Sequence, residues 1–288
     1  TTISGTVGRG LNGYECILNV EESRFISNTA TSGSGGAIAL TFDSSLTVMK
    51  TVFADNRAKA DGGAVACSQC VTLRISQSQF RSNKASRGGA MALEQTPTNS
   101  DIGSWIDSTS FVNNIASLGG GGAIYRVGEA APTLQENSSR VVYSGNQALY
   151  GAQIATEPVR IVIDYQSINV TNFEPVPTIV ISVYDRYLEK VEDLVEQFIV
   201  TVASANMNAP LYGITREIAI IDEGDTVNRG TALFKSLIIA GKPGTYELIF
   251  SVSMGFTTLN ARLNMTIRPC ELGTWLRELE IAQGGGYA

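Results

Sequence analysis

The sequence predicts an all-β chain in two parts, a parallel β-helix followed by a β-sandwich, and three observations carry that prediction. In the first half an aromatic residue is followed three positions on by Asn and five positions on by Ala. This happens five times, at aromatic spacings of 28, 27, 31 and 32 residues. A glycine-alanine element stands between successive copies, and from about residue 157 both signatures give way to runs of alternating apolar and polar residues. A recurring period of this length means one supersecondary unit per repeat.

The units run in order as Phe25, Asn28, Ala30 with Gly35-Gly36-Ala37-Ile38; Phe53, Asn56, Ala58 with Gly62-Gly63-Ala64-Val65; and Phe80, Asn83, Ala85 with Gly88-Gly89-Ala90-Met91. Phe111, Asn114, Ala116 with Gly121-Gly122-Ala123-Ile124 keeps the whole pattern. Tyr143, Asn146, Ala148 with Gly151-Ala152-Gln153-Ile154 keeps a decayed one. Segments such as 46–52, 71–75 and 105–111 are short, rich in Val, Ile, Thr and Ser, and bounded by Asn, Gly and Asp, as strands with turns should be. One or two leucines per unit at drifting offsets do not make a leucine-rich repeat. In a β-helix, equivalent positions stack at about 4.8 Å. Phe25, Phe53, Phe80, Phe111 and Tyr143 then form an interior aromatic column. Asn28, Asn56, Asn83, Asn114 and Asn146 form a ladder at a bend, each tolerating the turn and bonding to the next rung. Paired glycines supply positive φ or close backbone approach.

With four FxxN copies alternating with four GGA(I/V/M) copies over roughly residues 1–155, this part resembles the repeats of the chlamydial polymorphic outer-membrane proteins. The resemblance implies a right-handed, pectin-lyase-like β-helix in a surface protein. Similar repeats occur in large surface proteins of protists and algae.

The second half reads as seven strands, 159–165, 178–184, 198–203, 216–221, 232–239, 246–254 and 261–267, a number and density that suit a sandwich. The stretch Gly230-Thr231-Ala232-Leu233-Phe234, with Leu237 and Pro243-Gly244-Thr245-Tyr246-Glu247-Leu248, resembles the closing strands of invasin-like domains and implies an immunoglobulin-like fold. Residues 189–196 read as a short helical turn or an irregular edge. Asp222-Glu223-Gly224-Asp225 reads as a hairpin in preference to a calcium loop. The predicted domains are therefore a right-handed parallel β-helix over 1–156, an immunoglobulin-like β-sandwich over 157–269, and the start of a cysteine-rich or linker segment over 270–288. Pro269-Cys270-Glu271-Leu272-Gly273-Thr274 resembles the opening of growth-factor-receptor-like cysteine repeats.

The 288 residues are 43% hydrophobic and 17% charged, enough for ordered cores, and the formal charge of −6 without basic clusters argues against nucleic acid as a partner. No apolar run approaches a bilayer-spanning length, so no direct membrane insertion is expected in this segment. The chain starts without Met and nearly inside a repeat, and reads as a segment of a longer, secreted protein. Sequons at Asn137, Asn169 and Asn264 offer sites for covalent N-glycans, Asn137 first because it falls in the extra residues of the longest repeat. Cys67 and Cys70 flank a turn and are expected to form a local disulfide. Cys16 lies about two rungs away, roughly 9 to 10 Å, beyond disulfide reach, so Cys16 and Cys270 find partners elsewhere or stay free.

Enzymatic β-helices need clustered acids or a base. The chain has no histidine, and Asp43, Asp55, Asp61, Asp101 and Asp107 fall at unlike repeat offsets. Arg57, Lys59 and Asp61 come nearest to a lyase-like grouping and read as a solvated turn. No catalytic residue, metal or cofactor is assigned. Strand parity offers a possible interface. If Ile38, Val65, Met91 and Ile124 point inward, then Ala37, Ala39, Ala64, Ala66, Ala90 and Ala92 line an outward, methyl-only face suited to close packing. The reversed parity, with the alanines filling a narrow interior, is equally compatible. The expected role is a non-catalytic structural subunit of a cell-surface or filamentous glycoprotein assembly, self-associating or joined to other surface-protein subunits. A surface adhesin for host or glycan ligands is the alternative, and a polysaccharide lyase or glycosidase the third reading.

Overall fold

The computed structural model describes residues 1–8, 10–94, 104–128, 135–136, 140–206, 209–220, 228–254 and 257–269. Every regular element among them is a β-strand. Up to residue 156 the chain winds as a parallel β-helix in which each of the first four full turns adds one strand to each of four sheets. The second full turn is typical: Ile38–Thr41, Ser45–Met49, Val52–Ala54 and Arg57–Ala58. The sheets are called here the alanine, leucine, aromatic and short sheets, after those strands.

Register is strict. In the aromatic sheet Ile3, Phe25, Phe53, Phe80, Phe111 and Tyr143 lie on one column. The rings from Phe25 to Tyr143 stack with centroids 5.0, 4.6, 4.9 and 5.3 Å apart and planes within 13°. Offset stacking of rings adds to the burial of their apolar area. Behind them Leu46, Leu73, Ile75 and Ile106 fill the interior from the leucine sheet.

The asparagine ladder is a closed hydrogen-bond system. Asn83 Nδ2 donates to Asn114 Oδ1 at 2.9 Å and to the Phe53 carbonyl at 3.1 Å. Its Oδ1 accepts from the backbone N–H and Nδ2 of Asn56, each at 3.0 Å. Two donors and two acceptor sites are all an amide has, so this buried side chain leaves nothing unpaired. Asn56 and Asn114 repeat the arrangement on either side. The left-handed residue at the bend is the one before each ladder Asn: Ser27, Asp55, Ser82, Asn113 and Gly145, with φ of 55, 58, 55, 54 and 63°. The ladder asparagines are therefore selected for hydrogen bonding, and the backbone tolerance expected of them falls to their neighbours.

The glycine pair divides its labour. Gly88 has φ 60°, which a side chain rarely adopts, whereas a Cβ on Gly89 would lie 2.3 Å from the Gly122 carbonyl oxygen of the next turn. In the last turn, where no further rung follows, the second position is the exposed Ala152. The decay of the fifth repeat thus marks the end of the stack.

From residue 160 the pairing becomes mainly antiparallel. Arg160–Ile163, Ile179–Tyr184 and Thr231–Phe234 make a three-stranded sheet. Ser167–Thr171, Thr257–Arg268, Gly244–Met254, Ile199–Ser204 and Arg216–Ile218 make a five-stranded one, with only its first pair parallel. Leu211–Tyr212 pairs with Ile238–Ile239. The run read as one strand over 232–239 is thus two, because the chain changes partner between Phe234 and Ile238. The alternating buried residues Ile179, Ile181 and Val183 meet Phe234 and Phe250, whose rings pack edge to face at 5.6 Å. Residues 189–196 form no helix; their only regular pairing is a bridge from Lys190 to Tyr184.

The two halves share a core. Tyr125, Tyr150 and Ala155 of the last turns belong to the same buried cluster as Val183, Val191 and Phe198. Backbone bonds tie the seam: Leu194 N–H donates to the Leu118 carbonyl at 2.7 Å, and Thr156 N–H to Asp185 Oδ2 at 3.0 Å.

Candidate functional site

The outward face of the alanine sheet forms the floor of a groove of about 600 Å³. Asn12, Ala39, Ala66, Ala92 and Tyr125 follow one another along a single column, so the groove runs along the coil axis. One wall carries Thr41, Ser68 and Glu94, the next outward column of the same sheet; the other carries Ser34, Asp61 and Arg87 from the turns. Glu157, Pro158, Glu196 and Met254 of the following part of the chain close the far end beside Tyr125.

Strand parity explains the floor. Ala37 and Ile38 both donate their N–H to the Ala64 carbonyl, and Ala64 with Val65 and Ala90 with Met91 repeat this one turn on. Two consecutive donors on one acceptor break the alternation as a bulge does. Ala37, Ala64 and Ala90 consequently join Ile38, Val65 and Met91 in the core, fully buried. They are not surface residues, which corrects that part of the predicted interface. Ala39, Ala66 and Ala92 do face outward, at 6, 8 and 7% exposure. Gly35 overhangs the first of them: a Cβ there would lie 2.9 Å from that of Ala39.

Arg87 is the electrostatic centre of the groove. Its Nε and Nη2 donate to Asp61 Oδ1 and Oδ2 at 3.1 and 2.8 Å, one rung below. Its Nη1 lies 3.6 Å from Asp193 and 3.8 Å from Glu196, and its guanidinium sits 4.9 Å above the Tyr125 ring. A planar guanidinium suits this combination of fork-like pairing and ring stacking. Gly119 and Gly120 make the space. A Cβ on Gly119 would press on Arg87, and one on Gly120 would enter the Tyr150 ring. Burial is the largest single influence on Arg87 and opposes its charge, but the Asp61 hydrogen bond together with the charges of Tyr125, Asp61 and Asp193 outweighs it, and the group is held firmly protonated. Burial raises the Asp193 carboxyl above its usual range, with Arg87 and the backbone N–H groups of Val195 and Glu196 pulling the other way. The Tyr125 and Tyr150 phenols are likewise pushed up by burial.

The remaining predicted sites scatter over the molecule. Cys67 and Cys70 are joined in a disulfide with Cα atoms 5.7 Å apart, closing the turn from the alanine to the leucine sheet. Cys16 is free and half-buried, its Sγ 3.8 Å from Ser44 Oγ. Asn169 and Asn264 are exposed on neighbouring strands of the five-stranded sheet. Asn137, Asp101, the 222–225 segment and Cys270 lie outside the described residues. Arg57 and Lys59 are exposed, whereas Asp61 turns into the groove. Among the described residues, no group of three or more His, Cys, Asp or Glu could hold a metal ion.

The Arg87 cluster was not foreseen. The turn column reads Ser34, Asp61, Arg87, Gly120, Tyr150. Opposite charges at the same repeat offset in adjacent units were the available signal; Asp193 and Glu196, brought in from outside the repeat, left none.

No family model matches the chain, and no curated protein matches it. Among solved structures it is similar to domains 4 and 5 of the S-layer protein SbsC, with 14% identity and a TM-score of 0.23 over 39% of this chain and 55% of that one. It is also similar to domains 1–6 of the surface layer protein SbsC, with 13% identity and a TM-score of 0.25 over 41% of this chain and 14% of that one. The chain therefore spans about half, or less, of the proteins it matches, and likeness at this level carries no functional argument.

Proposed function

We propose that this chain is a non-catalytic structural segment of an extracellular or cell-surface glycoprotein assembly, a right-handed β-helix of the polymorphic outer-membrane type joined to an immunoglobulin-like sandwich. The observation that supports this is where the repeat is spent: the residues that recur most strictly, Phe, Asn and the Ala beside the glycine pair, are the buried ones. A repeat kept for ligand chemistry would recur in outward side chains, yet the outward turn column changes at every rung. What recurs makes a rigid rod. Its partners are other copies of itself or other surface-protein subunits, with N-glycans at the exposed Asn169 and Asn264 and at Asn137. Negative-stain imaging of native material tests the reading: regular polymers are expected, and isolated particles alone would overturn it.

A second reading, an adhesin for glycans, is favoured by the groove, whose hydroxyl and carboxyl walls over a flat floor suit an elongated polar ligand. Saturable glycan binding lost on filling the floor by Ala66→Trp would support it over a purely structural role.

A further inference from the structure

We infer that the groove of the alanine sheet receives the short-sheet ridge of a second copy of this chain, an inference that rests on the self-association proposed above and names its contact. The ridge is narrow because its strands are only two residues long, Arg57–Ala58 and Lys84–Ala85. Ala58 and Ala85 turn inward, while Arg57 and Lys84 are direct neighbours in register, both exposed. Lys59 is exposed beside them. Like charges opposite one another on a ladder destabilise it. None of these three cations has an ion-pair partner among the described residues, although exposed Lys50, Arg140 and Arg262 each face an acid. The middle of the ridge, between Thr29 and Ile115 of the same column, is thus a patch of positive charge that these ion pairs leave uncompensated.

The groove has the opposite balance. Its lining holds Asp61, Glu94, Glu157 and Glu196 against the single cation Arg87, which is already engaged by Asp61, Asp193 and Glu196. Glu94 is exposed and forms no ion pair among the described residues. The methyl floor admits close approach and gives the aliphatic stems of Lys and Arg an apolar surface to lie on. Ridge and groove are ladders with the same spacing of about 4.8 Å between rungs, so charges one rung apart on one surface meet the other in step. Because ridge and groove are different surfaces of one chain, each joined copy still offers one of each. Such a heterologous contact extends into a filament unless its rotation closes a ring.

Sedimentation velocity on the intact chain over a concentration series tests this. Wild type is expected to associate, and Lys84→Glu and Glu94→Lys each to weaken association by about tenfold or more, the size seen for charge contacts that matter. The equimolar mixture should recover it, since each variant's groove then matches the other's ridge, and the Lys84→Glu/Glu94→Lys double variant should recover it alone. Both positions are exposed, and unchanged melting curves confirm that each variant is folded. Association that is indifferent to the single changes, or not recovered on mixing, overturns the ridge-in-groove contact while leaving self-association standing. A wild type that stays monomeric at every concentration overturns both.

Discussion

The two halves of this molecule are both built from β-strands alone, short ones in the β-helix and some far longer ones after it, yet one displays its pairing in the sequence and the other conceals it. In the β-helix each strand pairs with its own counterpart one turn away, so register appears as repetition: Phe80 lies between Phe53 and Phe111, and Asn83 between Asn56 and Asn114. In the second half each strand pairs with an unlike one. Ser167–Thr171 runs parallel to Thr257–Arg268, some ninety residues later, with nothing in either segment to announce it. A periodic structure converts tertiary contacts into local pattern, whereas the mainly antiparallel sheets of the second half leave them non-local.

The first way to break that comparison is to remove one rung of the periodic half. Asn83→Ala deletes four hydrogen bonds and leaves the Asn114 oxygen, the Phe53 carbonyl and the Asn56 donors short of partners in a dry interior. The expected loss is about 4 kcal/mol or more in denaturant unfolding. Should the loss match that of an ordinary exposed Asn, the ladder is not holding the coil.

Glycine position within the stack gives the next effect. Gly89→Ala sets a methyl against the backbone of the neighbouring turn and is expected to cost about 3 kcal/mol, because a carbonyl cannot swing aside as a side chain can. Ala152→Ser, at the equivalent place with no turn beyond it, should change stability by less than about 0.5 kcal/mol. Thermal melts of the two variants sharpen the distinction between interior rungs and the terminal one.

Arg87→Met probes the seam between the halves. It leaves the buried Asp193 without its cation and is expected to cost about 2 to 3 kcal/mol. It should also split a single unfolding transition into two, seen by following the second half separately. A single transition after the change would mean that the shared apolar cluster around Tyr125 and Tyr150 couples the halves without the ion pairs.

The smallest effect is on pH dependence. Asp193 has a raised pKa when folded, so its contribution to stability is present below the unfolded value and is lost as pH rises through the folded one. Asp193→Asn should remove that downward component just above the ordinary carboxylate range, flattening melting temperature against pH there. An unchanged profile would show that Asp193 ionises as freely as an exposed acid.

Much of the fold was legible in these residues, and the limits have physical causes. The aromatic and asparagine columns were readable because each is fixed by neighbours one period away, and the Cys67–Cys70 turn because its two sulfurs belong to residues three positions apart. The parity of Ala37 against Ala39 was not, since it depends on a bulge at which two N–H groups share a carbonyl. The Arg87 cluster was only half visible: Asp61 lies one repeat away, but Asp193 and Glu196 arrive from the non-repeating half. The splitting of 232–239 into two strands was hidden for the same reason, because the partner at Leu211–Tyr212 belongs to no pattern.

The stacked amides offer the most direct measurement. With asparagine labelled by nitrogen-15, hydrogen exchange of the side-chain Nδ2 protons of Asn56, Asn83 and Asn114 should proceed only through global unfolding, as slowly as that of the best-protected backbone amides. Exchange at the rate of a solvent-exposed carboxamide would mean that these side chains do not lie one above another.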